Sequence, residues 1–263
     1  MGQQEYPAGA PSWVDVTSPD VDASVAFYGD LFGWEAVSNG PDEETGGYRM
    51  FRRDGLDVAG IGPTQAGAPP SWTVYVAVDD ADATAKAVEA AGGSVILRPL
   101  DIPQGAGRMV VLADDQGAVS AAWQPGAHAG ADVVDEPGTF VWSELACRDP
   151  EAAKAFYGAV YGWSGVTREM GEMSYTTFFL GEHGRTLCGM VRMNEQWPRD
   201  IPPHWMVYLA VADCDAVAAR VAELGGNVSV PPTDMPFGRF SVVADPFGAT
   251  FSIIRMADDV PVP

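Results

Sequence analysis

The sequence repeats itself, and the repeat limits the chain to folds built from two copies of one unit. Residues 9–34, GAPSWVDVTSPDVDASVAFYGDLFGW, align without a gap on residues 138–163, GTFVWSELACRDPEAAKAFYGAVYGW. Gly9, Trp13, Asp20, Phe27-Tyr28-Gly29 and Gly33-Trp34 recur as Gly138, Trp142, Asp149, Phe156-Tyr157-Gly158 and Gly162-Trp163. Residues 71–95 align in the same way on residues 204–228. Each copy continues with Asp-x-Pro, Gly-Arg and a turn from Asp to Gly. In the first these are Asp101, Pro103, Gly107, Arg108, Asp114 and Gly117; in the second, Asp234, Pro236, Gly238, Arg239, Asp245 and Gly248. The extra length of the second copy falls in residues 194–203, as expected of a surface loop or the mouth of a site. The copies divide the chain into modules at 1–125 and 138–257, a linker at 126–137 and a tail at 258–263.

Each copy reads as strand, helix, strands, then strand, helix, strands. Asp20 and Asp149 are placed to cap the first helix, and Pro150 suits a first helical position. Gly33 and Gly162 suit its end, where a left-handed residue is favoured. Asp79-Asp80 and Asp213 open the second helix, which stops at Gly92-Gly93 and Gly225-Gly226. Strands are expected at 13–17, 48–51, 56–61, 72–78, 108–113 and 119–123, with counterparts at 205–211, 239–244 and 250–254.

The 263 residues carry 36 Asp+Glu against 15 Lys+Arg, a formal charge of −21. Such a chain repels phosphate backbones and anionic membranes, so neither nucleic acid nor a membrane is an expected partner. Cys147, Cys188 and Cys214 form no CxxC and cannot all pair, which suits reduced thiols in the cytoplasm. The first eleven residues lack the basic and apolar regions of a secretory signal. No apolar run reaches the length of a membrane span.

The pattern resembles the vicinal oxygen chelate superfamily of glyoxalases, bleomycin-resistance proteins, fosfomycin-resistance enzymes and extradiol dioxygenases. The residues that carry it are Phe27-Tyr28, Leu31-Phe32-Gly33-Trp34, Asp79-Asp80, Gly92-Gly93 and Asp114 to Gly117. In the second copy they are Phe156-Tyr157, Tyr161-Gly162-Trp163, Gly225-Gly226 and Asp245 to Gly248. The tandem form is similar to actinobacterial two-module proteins that carry a hydroxylase label. The resemblance implies an α+β fold in which each module pairs two βαβββ units into a half-barrel with a concave site. It also implies where metal ligands stand in the metal-using members. Those positions hold Trp13, Thr73 and Ala121 in the first module and Trp142, Met206 and Ser252 in the second. An indole offers only an N–H donor, alanine offers nothing, and a lone hydroxyl is weak. No metal and no other cofactor is therefore expected.

On the register that the resemblance implies, the concave faces carry Trp13, Asp15, Thr73, Tyr75 and Trp123. The second face carries Trp142, Glu144, His204, Met206, Tyr208, Ser252 and Ile254. Arg108 and Arg239, at the starts of the penultimate strands, are further candidates for ligand contact. An aromatic cavity with few polar groups suits a planar organic ligand, or fills itself as core. Asp15 and Glu144 are the candidate acid–base residues, because a carboxylate facing aromatic walls loses solvation. His128 and His183 read as solvated, one in the linker and one in a Glu-His-Gly turn. The readings left open are a binding protein for a small planar compound, a metal-free enzyme acting on one, a metal-dependent lyase or dioxygenase, and an interaction protein. The expected partner is a small molecule, and the expected assembly is a monomer or homodimer.

Overall fold

The computed structural model describes residues 5–170, 173–181, 184–195 and 197–257. In the first module β1 (Pro11–Ser18) leads to α1 (Val21–Phe32), β2 (Glu35–Val37), α2 (Asp42–Thr45), β3 (Arg49–Arg53) and β4 (Leu56–Pro63). The second half runs β5 (Trp72–Ala77), α3 (Ala81–Ala90), β6 (Ser94–Ile102), β7 (Gly107–Ala113) and β8 (Val119–Pro125). The second module repeats this with β9 (Phe140–Cys147), α4 (Pro150–Tyr161), β10 (Trp163–Met170), β11 (Met173–Leu180) and β12 (Thr186–Arg192). It ends with β13 (His204–Ala210), α5 (Cys214–Glu223), β14 (Asn227–Met235), β15 (Gly238–Ala244) and β16 (Thr250–Met256).

Each module is one eight-stranded sheet, ordered β2-β3-β4-β1-β5-β8-β7-β6 and β10-β11-β12-β9-β13-β16-β15-β14. β1 pairs parallel with β4 and antiparallel with β5, so the two halves join along their first strands. The helix ends follow the expected chemistry. The Asp20 carboxylate accepts from the Ala23 N–H, and the Asp149 carboxylate from Glu151 and Ala152. Gly33 and Gly162 close those helices at φ of 72° and 71°, a conformation that costs other residues the clash of a Cβ.

Strand alternation sorts the side chains. On β1, Val14 and Val16 enter one large core, while Trp13 enters a separate cluster on the concave face with Tyr75 and Trp123. That large core is shared by both modules. Tyr28 donates across the seam to Asp245 Oδ2 (3.1 Å), and Tyr157 donates back to Asp114 Oδ2 (3.0 Å). Each phenol also accepts an indole N–H from its own module, Trp72 for Tyr28 and Trp205 for Tyr157. Trp34 Nε1 donates to the Gly138 carbonyl and Trp163 Nε1 to the Gly9 carbonyl, so each module pins the entry of the other's first strand. The Phe-Tyr and Gly-Trp repeats are thus the fastening between modules.

The linker is more tightly held than its composition suggests. Ala127 and His128 donate their N–H groups to the carbonyls of Gly105 and Ala106, Ala131 to Ser12 and Asp132 to Asp57. The three cysteines are free and buried. No helix of the described residues is long and apolar enough to cross a membrane. The tail at 258–263 and His183 lie outside the described residues.

Candidate ligand-binding cavity

The concave face of the first module encloses a cavity of about 400 Å³. Trp13, Tyr48, Met50, Tyr75, Trp123 and His128 wall it. Asn39, Thr45 and Ile102 to Gln104 contribute to its lining, with Gln104 Nε2 donating to the Asn39 carbonyl at 2.7 Å. The pairing of β1 with β5 places Trp13 beside Tyr75 and Asp15 beside Thr73. Gly60, which pairs with Asp15 from β4, leaves the space that the Tyr48 ring fills; a Cβ there would collide with the Tyr48 hydroxyl.

Under the aromatic walls runs a chain of hydrogen bonds that converges on Asp15. Trp13 Nε1 donates to the Tyr48 hydroxyl (3.0 Å), which donates to Asp15 Oδ2 (3.2 Å). Tyr75 donates to the same oxygen at 2.7 Å. Asp15 is 5% exposed and is not among the side chains that line the cavity. Burial pushes its carboxyl up to about 6, against the opposing pull of hydrogen bonds from Tyr75, Tyr48 and Thr73. Burial and the neighbouring Asp15 push both phenols up, so they stay neutral donors. The walls therefore offer a guest aromatic faces, while the Trp13, Tyr48 and Tyr75 donors are engaged with one another and with Asp15.

The second module repeats the arrangement. Trp142 Nε1 donates to the Tyr175 hydroxyl (3.1 Å), and Tyr208 donates to Glu144 Oε1 (3.1 Å). Gly189 leaves room for Tyr175 as Gly60 does for Tyr48. Burial pushes the Glu144 carboxyl up, and hydrogen bonds from Tyr175 and Tyr208 hold it down. The hairpin tips differ. The β14–β15 tip carries Phe237, whose ring lies 6.1 Å from that of Tyr175. The β6–β7 tip carries Gln104, Gly105 and Ala106 instead and leaves the first cavity open.

The structure brings Trp13, Asp15, Thr73, Tyr75 and Trp123 together, and Trp142, Glu144, Met206, Tyr208 and Ser252 in the second module. It separates three others. Arg108 turns away from the cavity and binds Asp82 on α3 and Asp101 on β6, and Arg239 binds Asp215 and Asp234 in the same way. Strand alternation explains this correction: Met109 and Phe240, one position later, are the inward residues. His204 sits at the loop edge, with Nδ1 2.9 Å from the Pro202 carbonyl and its ring 6.2 Å from Trp197. His128 is corrected in the other direction. It is half-buried in the cavity wall, because the linker folds back over the hairpin tip. Asp15, expected as an inward acid–base group, stands behind Tyr48 and Tyr75. Tyr48 and Tyr175 were not anticipated from the sequence. Their signal was a Tyr-x-x-Phe, followed by Gly60 or Gly189, that recurs in both copies.

Among the described residues, no three His, Cys, Asp or Glu side chains gather as a metal set. The sets that the resemblance implies, Trp13-Thr73-Ala121 and Trp142-Met206-Ser252, lack the donors a divalent ion takes, and the ladder puts Tyr75 rather than Thr73 beside Trp13 and Ala121, and Tyr208 rather than Met206 beside Trp142 and Ser252.

The profile of the Glyoxalase/Bleomycin resistance protein/Dioxygenase superfamily matches residues 11–121 and 139–253. The chain belongs to that superfamily, as two tandem modules. It is 41% identical over 278 residues to the anthracycline biosynthesis protein DnrV of Streptomyces peucetius, covering 97% of this chain and 96% of that one. It is 40% identical to a Mycobacterium bovis protein named "Putative glyoxylase CFP32", covering 97% and 98%. Its fold is similar to the Mn(II)-bound glyoxalase from Novosphingobium aromaticivorans, with a TM-score of 0.61 at 20% identity over 94% of this chain and 82% of that one.

Proposed function

We propose that the chain binds a small, largely planar aromatic compound in the cavity of the first module, without a metal ion. The observation that carries this reading is the cavity itself. Its volume suits a fused-ring molecule, since ligand sites span roughly 300–1,000 Å³. Indole and phenol walls favour stacked and edge-on ring contacts. The internal hydrogen-bond chain leaves few polar groups whose hydration a flat ligand would disrupt. The name of the 41% identical relative, an anthracycline biosynthesis protein, fits a polycyclic aromatic ligand.

Titration of the protein with 1,8-dihydroxyanthraquinone, read by tryptophan quenching, tests the metal-free part. Saturable binding with the same Kd in EDTA and in added Mn²⁺ is expected. Binding that disappears in EDTA and returns with Mn²⁺ would contradict it.

One observation favours a second reading, metal-free acid–base chemistry on such a compound. The Asp15 carboxyl, held near 6, bonds to two hydroxyls whose rings line the cavity. A proton could pass between Asp15 and a bound carbonyl or hydroxyl through Tyr48 or Tyr75. Asp15→Asn would then abolish turnover while leaving ligand affinity nearly unchanged.

A further inference from the structure

His128 lines the first cavity, and its imidazole takes no part in the hydrogen-bond chain beneath the aromatic walls. Its backbone is fixed twice: its N–H donates to the Ala106 carbonyl at 3.0 Å, and its carbonyl accepts from Trp123 Nε1 at 2.9 Å. Gly130, at φ 138°, lets the chain turn closely against the Ser12 carbonyl and Tyr6 just beyond. The imidazole is thereby set between two indoles, edge-on to Trp13 (centroids 4.5 Å apart, 84° between planes) and to Trp123 (5.8 Å, 68°). Its Nε2 is buried and has no hydrogen-bond partner among the described residues. A buried polar atom left unpaired costs about 1–3 kcal/mol, so such an atom in a cavity wall points to a partner that arrives from outside. Burial pushes the imidazole down, against the pull of Asp57 and Asp132, which keeps the ring neutral, with one donor and one acceptor nitrogen.

We infer that His128 is the specificity residue of the cavity. It selects planar aromatic compounds that carry a hydroxyl or carbonyl on the ring edge over the bare hydrocarbon. This rests on the proposed binding of an aromatic compound in this cavity. Nε2 is shielded as the ring stands, so the imidazole turns about its Cβ–Cγ bond to meet the ligand; no hydrogen bond on Nε2 opposes that turn. Trp13 and Trp123 then hold the flat body of the ligand, and His128 reads its edge.

The test compares two probes, 1,8-dihydroxyanthraquinone and 9-methylanthracene, on wild type and on His128→Phe and His128→Gln. Wild type is expected to bind the hydroxylated probe more tightly. His128→Phe should weaken that probe about tenfold, the equivalent of one hydrogen bond, and change the hydrocarbon less than twofold. His128→Gln, which keeps a donor and an acceptor, should recover part of the loss. In wild type, the imidazole ¹⁵N shifts should move on binding the hydroxylated probe and stay still with the hydrocarbon. Equal losses for both probes in His128→Phe, or none for either, would overturn the role of His128 and leave the cavity reading standing. Failure of wild type to bind either probe would overturn both.

Discussion

Replacing Asp114 with alanine is expected to cost about 3–5 kcal/mol of stability, from three hydrogen-bond donors left without their acceptor at about 1–3 kcal/mol each where buried, a large share of the total for a chain of this kind. Asp114 is 4% exposed. Its Oδ1 accepts the N–H groups of Gln116 (2.9 Å) and Ala118 (2.8 Å), and its Oδ2 accepts the Tyr157 hydroxyl from the other module (3.0 Å). Truncation strands two turn amides and a fully buried phenol together. Tyr157→Phe leaves the turn amides satisfied but strands the Trp205 indole N–H and Asp114 Oδ2, so a smaller loss of about 2 kcal/mol is expected there. Arg108→Ala breaks two close ion pairs, but they lie at the surface, screened by solvent, and the smallest loss of the three is expected there. Chemical denaturation of the three variants checks the order. If Asp114→Ala loses no more than Arg108→Ala, the cross-module hydrogen bonds do not hold the halves together.

Asp15→Asn is expected to remove a pH dependence rather than simply a contact. The folded carboxyl titrates near 6, against an ordinary value of 3.8. Below about pH 4 the proton is bound in both states, and the group costs the fold nothing. Between about pH 4 and 6 the unfolded chain releases its proton while the folded chain keeps it, so stability falls as pH rises. Above about pH 6 the loss levels off at roughly 3 kcal/mol, from two pKa units at 1.36 kcal/mol each. The carboxamide that replaces the carboxyl in Asp15→Asn has no proton to release. The stability of Asp15→Asn relative to wild type should therefore climb between pH 4 and 6.5 and then stay flat. Glu144 is present in both proteins and cancels. Denaturation midpoints measured from pH 4 to 8 check this; parallel curves would mean that Asp15 is not a desolvated carboxyl.

Much of the fold was legible because it was written twice. Asp20, Asp149, Gly33 and Gly162 act where their chemistry placed them, at helix ends that need a side-chain acceptor or a left-handed residue. The family resemblance named a concave site, and alternation along β1 and β5 put Trp13, Asp15, Thr73 and Tyr75 on it. Five features were hidden for physical reasons. Edge strands such as β6 alternate only between exposed and half-buried residues, so their apolar pattern is weak. Arg108 was one residue out of register, and in a strand one residue reverses the face. The linker is rich in Gly, Ala and Asp, a loop composition, and nothing in it says that its backbone pairs with residues 105 and 106 and carries His128 into the wall. Tyr48 needed a long-range fact, the empty space above Gly60. The cross-module role of Tyr28 and Tyr157 was equally out of reach, since a buried aromatic reads the same in one core or between two.

The central claim is that the first module's cavity, and not a surface or the second module, takes the aromatic ligand. Ala106 lines that cavity at the hairpin tip and is only half-buried, so a large side chain there fills the space with little strain on the core. The decisive measurement is a fluorescence titration of wild type and Ala106→Trp with 1,8-dihydroxyanthraquinone, beside their melting curves. One site per chain in wild type, at least a hundredfold weaker in a variant that melts at the same temperature, is the predicted result. Binding of equal strength in Ala106→Trp, or two equal sites per chain in wild type, would contradict the account.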